Sequence, residues 1–403
     1  MTNSNNLPED WKYVKLGEVC EVIMGQSPPS STYNTDGIGM PFFQGKAEFT
    51  ELHPAVEKWC TAPTKTAKPN DILLSVRAPV GTTNVANINC CIGRGLAAIR
   101  YNNWKYAFYF LRSIEKQLDK KGTGTTFKAI SGEVIRQTDF PLPDDKTQLA
   151  IVSKLEELFS ELDKGIEQLK TAQHQLKTYR QAVLKYAFEG KLTNENVKEG
   201  ELPKGWKIVS LREVSKFITD GDHQAPPKAT AGIPFITISN VDKTNYTIDF
   251  TDTFFVARDY YSNLKDNRKS KKGDILYTVT GSFGIPILID YDKEFCFQRH
   301  IGLIRPSEKV NQKWLYYLLQ SNVVFNQAKK TATGTAQKTV ALSSLRNFQI
   351  PFCNIEEQNN IVQEIESRLS VADTMEESIN NSLQQADALR QSILKKAFEG
   401  RLA

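Results

Sequence analysis

The chain repeats itself. Leu7-Pro8-Glu9-Asp10-Trp11-Lys12 returns as Leu202-Pro203-Lys204-Gly205-Trp206-Lys207, and Asp71-Ile72-Leu73-Leu74-Ser75-Val76 returns as Asp274-Ile275-Leu276-Tyr277-Thr278-Val279. Leu184-Lys185-Tyr186-Ala187-Phe188-Glu189-Gly190-Lys191-Leu192 returns as Leu394-Lys395-Lys396-Ala397-Phe398-Glu399-Gly400-Arg401-Leu402. The offset between matched positions grows from 195 to 203 to 210, so the second copy carries small insertions. A period of roughly 200 residues is too long for a solenoid unit and is the size of a domain plus a connector. Two copies in one chain predict internal pseudo-twofold symmetry, which suits a target that itself comes in two halves.

Each copy splits into a globular part and a long helix. Apolar residues recur in steps of three and four at Ile151, Leu155, Leu158, Leu162, Ile166, Leu169, Leu176, Tyr179 and Val183. The second copy has the same steps at Ile361, Ile365, Leu369, Met375, Ile379, Leu383, Leu389, Ile393 and Ala397. Such a pattern, held over more than five heptads, predicts a coiled-coil seam. Gly190 and Gly400 fall where a helix C-cap belongs. The matched lengths predict that the two helices pair with each other rather than lie in separate cores. The globular parts read as mixed α and β. Strands are predicted at Ile72–Arg77, Gly95–Arg100, Pro234–Ile238, Asp274–Val279, Ile285–Ile289 and Ile301–Arg305. A short aromatic helix follows in each copy, Trp104–Leu111 and Trp314–Leu319. The fold class is α+β, two globular domains joined by two long antiparallel coiled-coil helices. The divisions fall at 1–147 for the first globular domain, 148–193 for the first long helix, 194–357 for linker and second domain, and 358–403 for the second helix.

Bulk properties exclude several classes. Hydrophobic content of 40% and charged content of 24% belong to an ordinary soluble protein. No apolar run approaches the roughly 20 residues needed to span a bilayer, and the opening residues lack a signal-peptide pattern. The six cysteines have no CxxC spacing, which fits reduced thiols in a cytoplasm and argues against a disulfide framework or zinc site. The net charge of +5 is mild, but it is unevenly spread. Eight basic and two acidic residues lie between Arg94 and Lys128, and fourteen basic and seven acidic between Arg258 and Lys338. A local basic surface of that kind can meet phosphates. It can equally be a solvated face.

Catalytic signatures are missing. There is no GxxxxGK[ST], HExxH or GxSxG, no Asn/Asp-Pro-Pro-aromatic set, and no metal-ligand spacing among His53, His174, His223 and His300. Pro143-Asp144 lies at a helix entrance, where an acid favours the helix dipole, and is read as that rather than as a nuclease motif. The chain reads as a binding protein, not an enzyme. A coiled-coil scaffold with two protein-binding globular ends is the alternative.

The Leu-Pro-x-x-Trp openings, the Gly/Asn-Asp-Ile-Leu strands, the Thr-Gly-Thr loops at 123 and 333 and the twin Ala-Phe-Glu-Gly-Lys/Arg-Leu ends, in this order along the whole chain, resemble the specificity subunits of type I restriction–modification enzymes. The resemblance implies two target-recognition domains that each read half of a bipartite double-stranded DNA site. It implies that the paired helices set the half-site spacing and dock two methyltransferase subunits, and it allows two restriction (translocase/endonuclease) subunits besides. No cofactor is expected in this chain; S-adenosylmethionine would belong to the methyltransferase. Phe188 and Phe398, in the twin helix ends, are the expected partner-binding residues.

Three groups of residues are candidates for DNA contact. The Thr-Gly-Thr loops come first, with Thr123, Thr125 and Lys128 in one copy and Thr333, Thr335 and Lys338 in the other. Glycine lets backbone approach closely, hydroxyls and amides bond phosphate or base edges, and lysine adds charge. Second are Gln26 and Ser27, matched with His223 and Gln224, and Gln44 and Lys46, matched with the Ser239-Asn240 pair. Gln and Asn pair in two-point fashion with adenine, and Lys or Arg with guanine. Third are Arg94 and Arg299, which align at offset 205. Arg77 is a contact expected in the first half only, with Thr280 nearby in the second. Arg100 and Arg305 also align, but as strand ends they are expected to be structural. Strong divergence between the shared landmarks predicts that the two half-sites differ.

Overall fold

The structure, a computed structural model, describes residues 7–124, 128–194, 196–224 and 226–402. They form two compact units, one of Met1–Lys170 with Asn380–Ala403 and one of Thr171–Ile379. The division cuts both long helices, so each unit is built from parts of both copies.

In the first unit an antiparallel sheet carries the strands Glu21–Met24, Leu96–Arg100, Ile72–Ser75 and Thr83–Val85 in that spatial order. Ile72–Ser75 is buried along its whole length, as a strand covered on both faces must be. The second unit repeats the sheet with Ser215–Asp220, Ile301–Pro306, Ile275–Thr278 and Pro286–Leu288. Register agrees too: Leu96 faces Ser75, and Ile301 faces Thr278. The aromatic helices span Trp104–Ser113 and Gln312–Gln320, each opened by an asparagine side chain that accepts from a first-turn amide.

The recurrent aspartates are structural. Asp71 is almost fully buried, accepts the Lys68 amide at 2.7 Å and is gripped by Arg100 through two bonds of 2.8 and 2.7 Å. Asp274 repeats this with Lys271 at 2.8 Å and Arg305 at 2.7 and 2.6 Å. A two-point guanidinium–carboxylate pair fixes geometry as well as charge, which accounts for Arg100 and Arg305 at the strand ends.

The long helices span Asp145–Phe188 and Ile355–Phe398, 44 residues each. Both begin three residues before the sequence-based boundary, because Asp144 and Asn354 accept the amides of Thr147 and Glu357 at 2.7 and 2.9 Å and start the helix there. Hydrogen bonding from the Thr147 hydroxyl and from its amide holds the Asp144 carboxyl below its usual range. Both end at glycines in the left-handed region, Gly190 at φ 75° and Gly400 at φ 72°. A Cβ there would lie 2.1 Å from the Pro203 ring and 2.3 Å from the Pro8 ring. Each Leu-Pro-x-x-Trp opening therefore seats its proline on a helix-end glycine, which is why the two motifs recur together.

Within each unit the helices run antiparallel. In the first, Arg390 pairs with Asp163 and lies 4.8 Å from the Phe159 ring centre. In the second, Arg180 bonds Asp373 at 2.6 Å and Glu376 at 2.9 Å. Arg180 and Arg390, and Asp163 and Asp373, are equivalent at offset 210. The seam runs from Leu155 to Ala187 and from Ile365 to Ala397 in alternating steps of four and three, every position buried or partly buried. It passes through Phe159, Gln173 and Arg180, and through Ala372, Glu376, Ala386 and Arg390. Tyr179, Met375 and Leu389 were expected in it and are exposed. The arginine stems pack in the seam and carry their charges to its edge, which displaces the apolar neighbours one position outward.

The helix ends close the globular cores. Phe398 packs on Tyr106 and Phe110, ring centres 5.1 and 5.5 Å away, and Phe188 on Trp314 at 5.8 Å. Both phenylalanines are buried. Their expected role on a free docking surface is therefore corrected: they are core residues that anchor each helix end in a globular domain. All six cysteines are free and buried, and no helix among the described residues is long and apolar enough to cross a membrane.

Candidate nucleic-acid interface

One edge of each sheet gathers most of the candidate residues. In the first unit the strand after Ser75 runs on to Arg77, which bridges Ala129, and Ala129 exchanges two backbone bonds of 2.9 Å with Thr123. Val76 donates to Gly95 at 2.9 Å, so Arg94 emerges beside Arg77. The Arg94 amide donates to Ser27 at 3.2 Å, and Gln26 donates its amide to Ile92 at 3.0 Å. Arg77, Arg94, Gln26, Gln44, Lys46 and Thr123 are exposed, and Ser27 is partly buried. Thr125 lies outside the described residues.

The second unit builds the same edge. Thr280 bridges Thr339, which exchanges bonds of 2.9 and 2.8 Å with Thr333. Val279 donates to His300 at 2.9 Å, and the Arg299 amide to Asp222 at 3.0 Å. Thr280 therefore occupies the place of Arg77, and Arg299 that of Arg94. The turn that carries Gln26 and Ser27 in one unit and His223 and Gln224 in the other opens on a glycine. A Cβ on Gly25 would meet the Gly93 carbonyl at 2.2 Å, and one on Gly221 the Phe297 carbonyl at 1.9 Å. Arg299, His223, Gln224, Thr333, Thr335 and Lys338 are exposed.

Two expectations are corrected, and a third residue is already paired. Asn240 is buried and spends its amide inside the fold: its oxygen accepts from the Thr237 amide at 2.9 Å and its nitrogen donates to Asp252 at 2.9 Å. The same capping position in the first unit is Glu48, which accepts the Gly45 amide at 3.1 Å. Asn240 thus matches Glu48, not the Gln44–Lys46 turn. Thr280 is 9% exposed and its hydroxyl lies 3.3 Å from that of Thr339. It shapes the edge from inside. Lys128 is committed to Asp119 at 2.6 Å. The residue equivalent to Asp119 is Lys329, so Lys338 lacks that pairing and the second loop is the more basic.

A cleft of about 370 Å³ in the second unit was not foreseen. Asp220, Arg299, His300, Gln337 and Thr339 line it. Asp220 ends its strand opposite Gly302 and lies 2.9 Å from the His223 Nε2. His300 has its pKa lowered by burial and by the neighbouring Arg299, which favours the neutral ring. The only sequence signal for this cleft was the failure of Asp220 and His300 to match Met24 and Gly95, their equivalents in the first copy.

Comparison with known proteins settles the family. The model of the type I restriction modification DNA specificity domain matches twice, over residues 8–171 and 203–385. The chain belongs to the type I restriction–modification specificity family. A putative type I restriction enzyme MjaX specificity subunit of Methanocaldococcus jannaschii is 40% identical over 46% of this chain and 44% of that one. The EcoBI specificity subunit of Escherichia coli is 24% identical over 98% of this chain and 87% of its own length. Among solved structures, the HsdS subunit from Thermoanaerobacter tengcongensis superposes with a TM-score of 0.58 at 21% identity, covering 99% of both chains. A chain from a study of complex assembly and conformational transition in the type I R-M system superposes with a TM-score of 0.74 at 22% identity, covering 98% of this chain and 99% of that one. In this specificity-family chain the duplicated motifs have divided duties. The aspartate strands, Leu-Pro-x-x-Trp openings and helix ends hold the fold, and the edges between them carry the side chains that differ.

Proposed function

We propose that each sheet edge reads one half of an asymmetric bipartite site in double-stranded DNA, and that the paired helices fix the gap between half-sites and dock two methyltransferase subunits. The observation that carries this reading is the edge built twice on one backbone plan with unlike side chains: Arg77 against Thr280, Met24 against Asp220, Gly95 against His300. A duplicated frame with diverged contact residues is what two different half-sites require. Arginine at an exposed strand end suits guanine, and the loop lysines suit phosphate.

The chain itself is proposed to be non-catalytic. It presents DNA, and the partner subunits supply S-adenosylmethionine and the chemistry on a base taken out of the stack. Restriction subunits are a further partner of the same assembly. The scaffold alternative gives no reason for two conserved frames with divergent polar edges.

The test is to co-express the chain with its methyltransferase partner and map adenine methylation across the host genome. One motif of two unlike short half-sites around a fixed gap is the expected result. An assembled complex that adds no methylation and shows no salt-dependent DNA affinity would sink the proposal.

A further inference from the structure

We propose that Asp220 and Arg299 together read one G·C base pair in the half-site taken by the second unit, an extension that rests on the function proposed above. Both line the same cleft, at the edge where the Thr333–Lys338 loop, the strand end at Thr278 and the turn after Gly221 come together. Lys329, Lys330 and Lys338 lie along the loop and the helix before it, and the other carboxylate of the turn, Asp222, is taken up by Arg268 at 3.3 Å. A carboxylate there works against phosphate binding, so its place needs a reason other than general affinity. It is also held rather than loose: Asp220 is 16% exposed, ends a strand in register with Gly302, and is contacted by His223 at 2.9 Å.

The chemistry of the major groove supplies the reason. Guanine offers O6 and N7 as acceptors, which an arginine takes in two-point fashion, and cytosine offers its N4 amino group, which a carboxylate accepts. One G·C pair presents both, side by side, and an Asp–Arg couple matches that pattern. Against A·T the couple meets adenine's amino group where Arg299 needs an acceptor. Against the reversed C·G pair both charges face the wrong partner. Neutral His300 beside Arg299 adds no competing charge.

The first unit lacks this device. The position of Asp220 is Met24, whose side chain lies against Gly132, where an added Cβ would be 3.0 Å away. The position of His300 is Gly95, whose Cβ would strike the Gln44 carbonyl at 2.3 Å. The two positions that give the cleft its carboxylate and imidazole in one unit are a thioether and a glycine packed on backbone in the other, so the couple is specific to one half-site.

The experiment uses the complex of this chain with its methyltransferase partner. Genome-wide methylation is mapped for the unaltered chain and for Asp220→Asn and Arg299→Ala. The expected result is a fixed G·C pair in one half-site, relaxed in both variants at that same pair, with the other half-site unchanged. Asparagine at 220 is expected to admit T·A there, with adenine in cytosine's place, since its amide suits adenine and the thymine O4 still accepts from Arg299. A motif unchanged in both variants overturns the inference, as does a half-site with no fixed G·C pair. Absence of any bipartite motif overturns the function itself, a different outcome. If a variant abolishes methylation altogether, the unaltered complex is given duplexes in which each guanine of the motif is replaced in turn by 7-deazaguanine. Loss of the N7 acceptor should weaken binding about tenfold or more at one guanine of the second half-site, and equal binding at all of them overturns the proposal.

Discussion

At the scale of single residues, the side chains most visible in the sequence turn out to be the ones the fold consumes. Asp71 and Asp274 recur because each closes a strand turn and grips an arginine while buried. Removing Asp71 leaves the partly buried Arg100 guanidinium with only its exposed partner Glu21, and leaves the Lys68 amide without its acceptor. Asp71→Ala should cost about 3 kcal/mol in urea unfolding, and a loss under about 1 kcal/mol would show the pair to be ornamental. The exposed lysines separate more finely. Lys338→Ala should weaken DNA binding and lower the salt slope by about one unit. Lys128→Ala should do so less, because Asp119 already neutralises Lys128. Equal slopes for the two variants would contradict that ranking. The cysteines give a third expectation at this scale. Burial pushes the thiols of Cys20, Cys90, Cys296 and Cys353 up to about 12. The thiolate is the nucleophile, so iodoacetamide at pH 8 should label these positions only after unfolding. What the sequence did not disclose was the cleft around Asp220. No motif marks it; it exists because two residues depart from their equivalents in the other copy.

At the scale of elements, the long helices were legible from periodicity, but their seam was not. A three-and-four pattern allows neighbouring rows, and hydrophobicity favours Tyr179, Met375 and Leu389. The structure instead seats Arg180, Glu376 and Arg390, because the alternating four-and-three frame set by the other seam positions falls on them, and their ion pairs close across the helices. Polar groups in a seam tend to specify pairing at some cost in stability. Arg390→Leu should therefore leave stability within about 1 kcal/mol or raise it, since Asp163 is half-exposed and does not become a buried orphan. Phe398→Ala is the contrast. It empties a site among Tyr106 and Phe110 and should cost about 3–5 kcal/mol. The loss should appear as reduced hydrogen-exchange protection in the first unit, far away in sequence. The twin phenylalanines read as partner-binding residues because they recur in the twin helix ends. They recur because each globular core borrows a helix end from the other copy, a relation between distant segments that no local pattern carries.

At the scale of the molecule, the duplication was the most informative feature and the least ambiguous. It carries the tandem domains, the paired helices and the family resemblance within the sequence itself. Its limit is that it says which positions are shared and leaves the division of labour among them unassigned. The proposed ruler is open to a direct test at this scale. The seam is an uninterrupted heptad frame from Leu155 to Ala187 and from Ile365 to Ala397, and the equivalents of one stretch are the partners of the other. Inserting one whole heptad after Thr171 and after its equivalent Asn381, at the middle of the seam, keeps every seam position facing its partner and leaves the anchors at Phe188 and Phe398 intact. Seven residues lengthen an α-helix by about 10.5 Å, about three base pairs of B-form DNA at roughly 3.4 Å each. The methylated motif should keep both half-sites and widen its gap by about three base pairs. Insertion in one helix only should break the pairing and abolish methylation. A symmetric insertion that methylates the original motif with its original gap would mean that something other than the paired helices measures the distance.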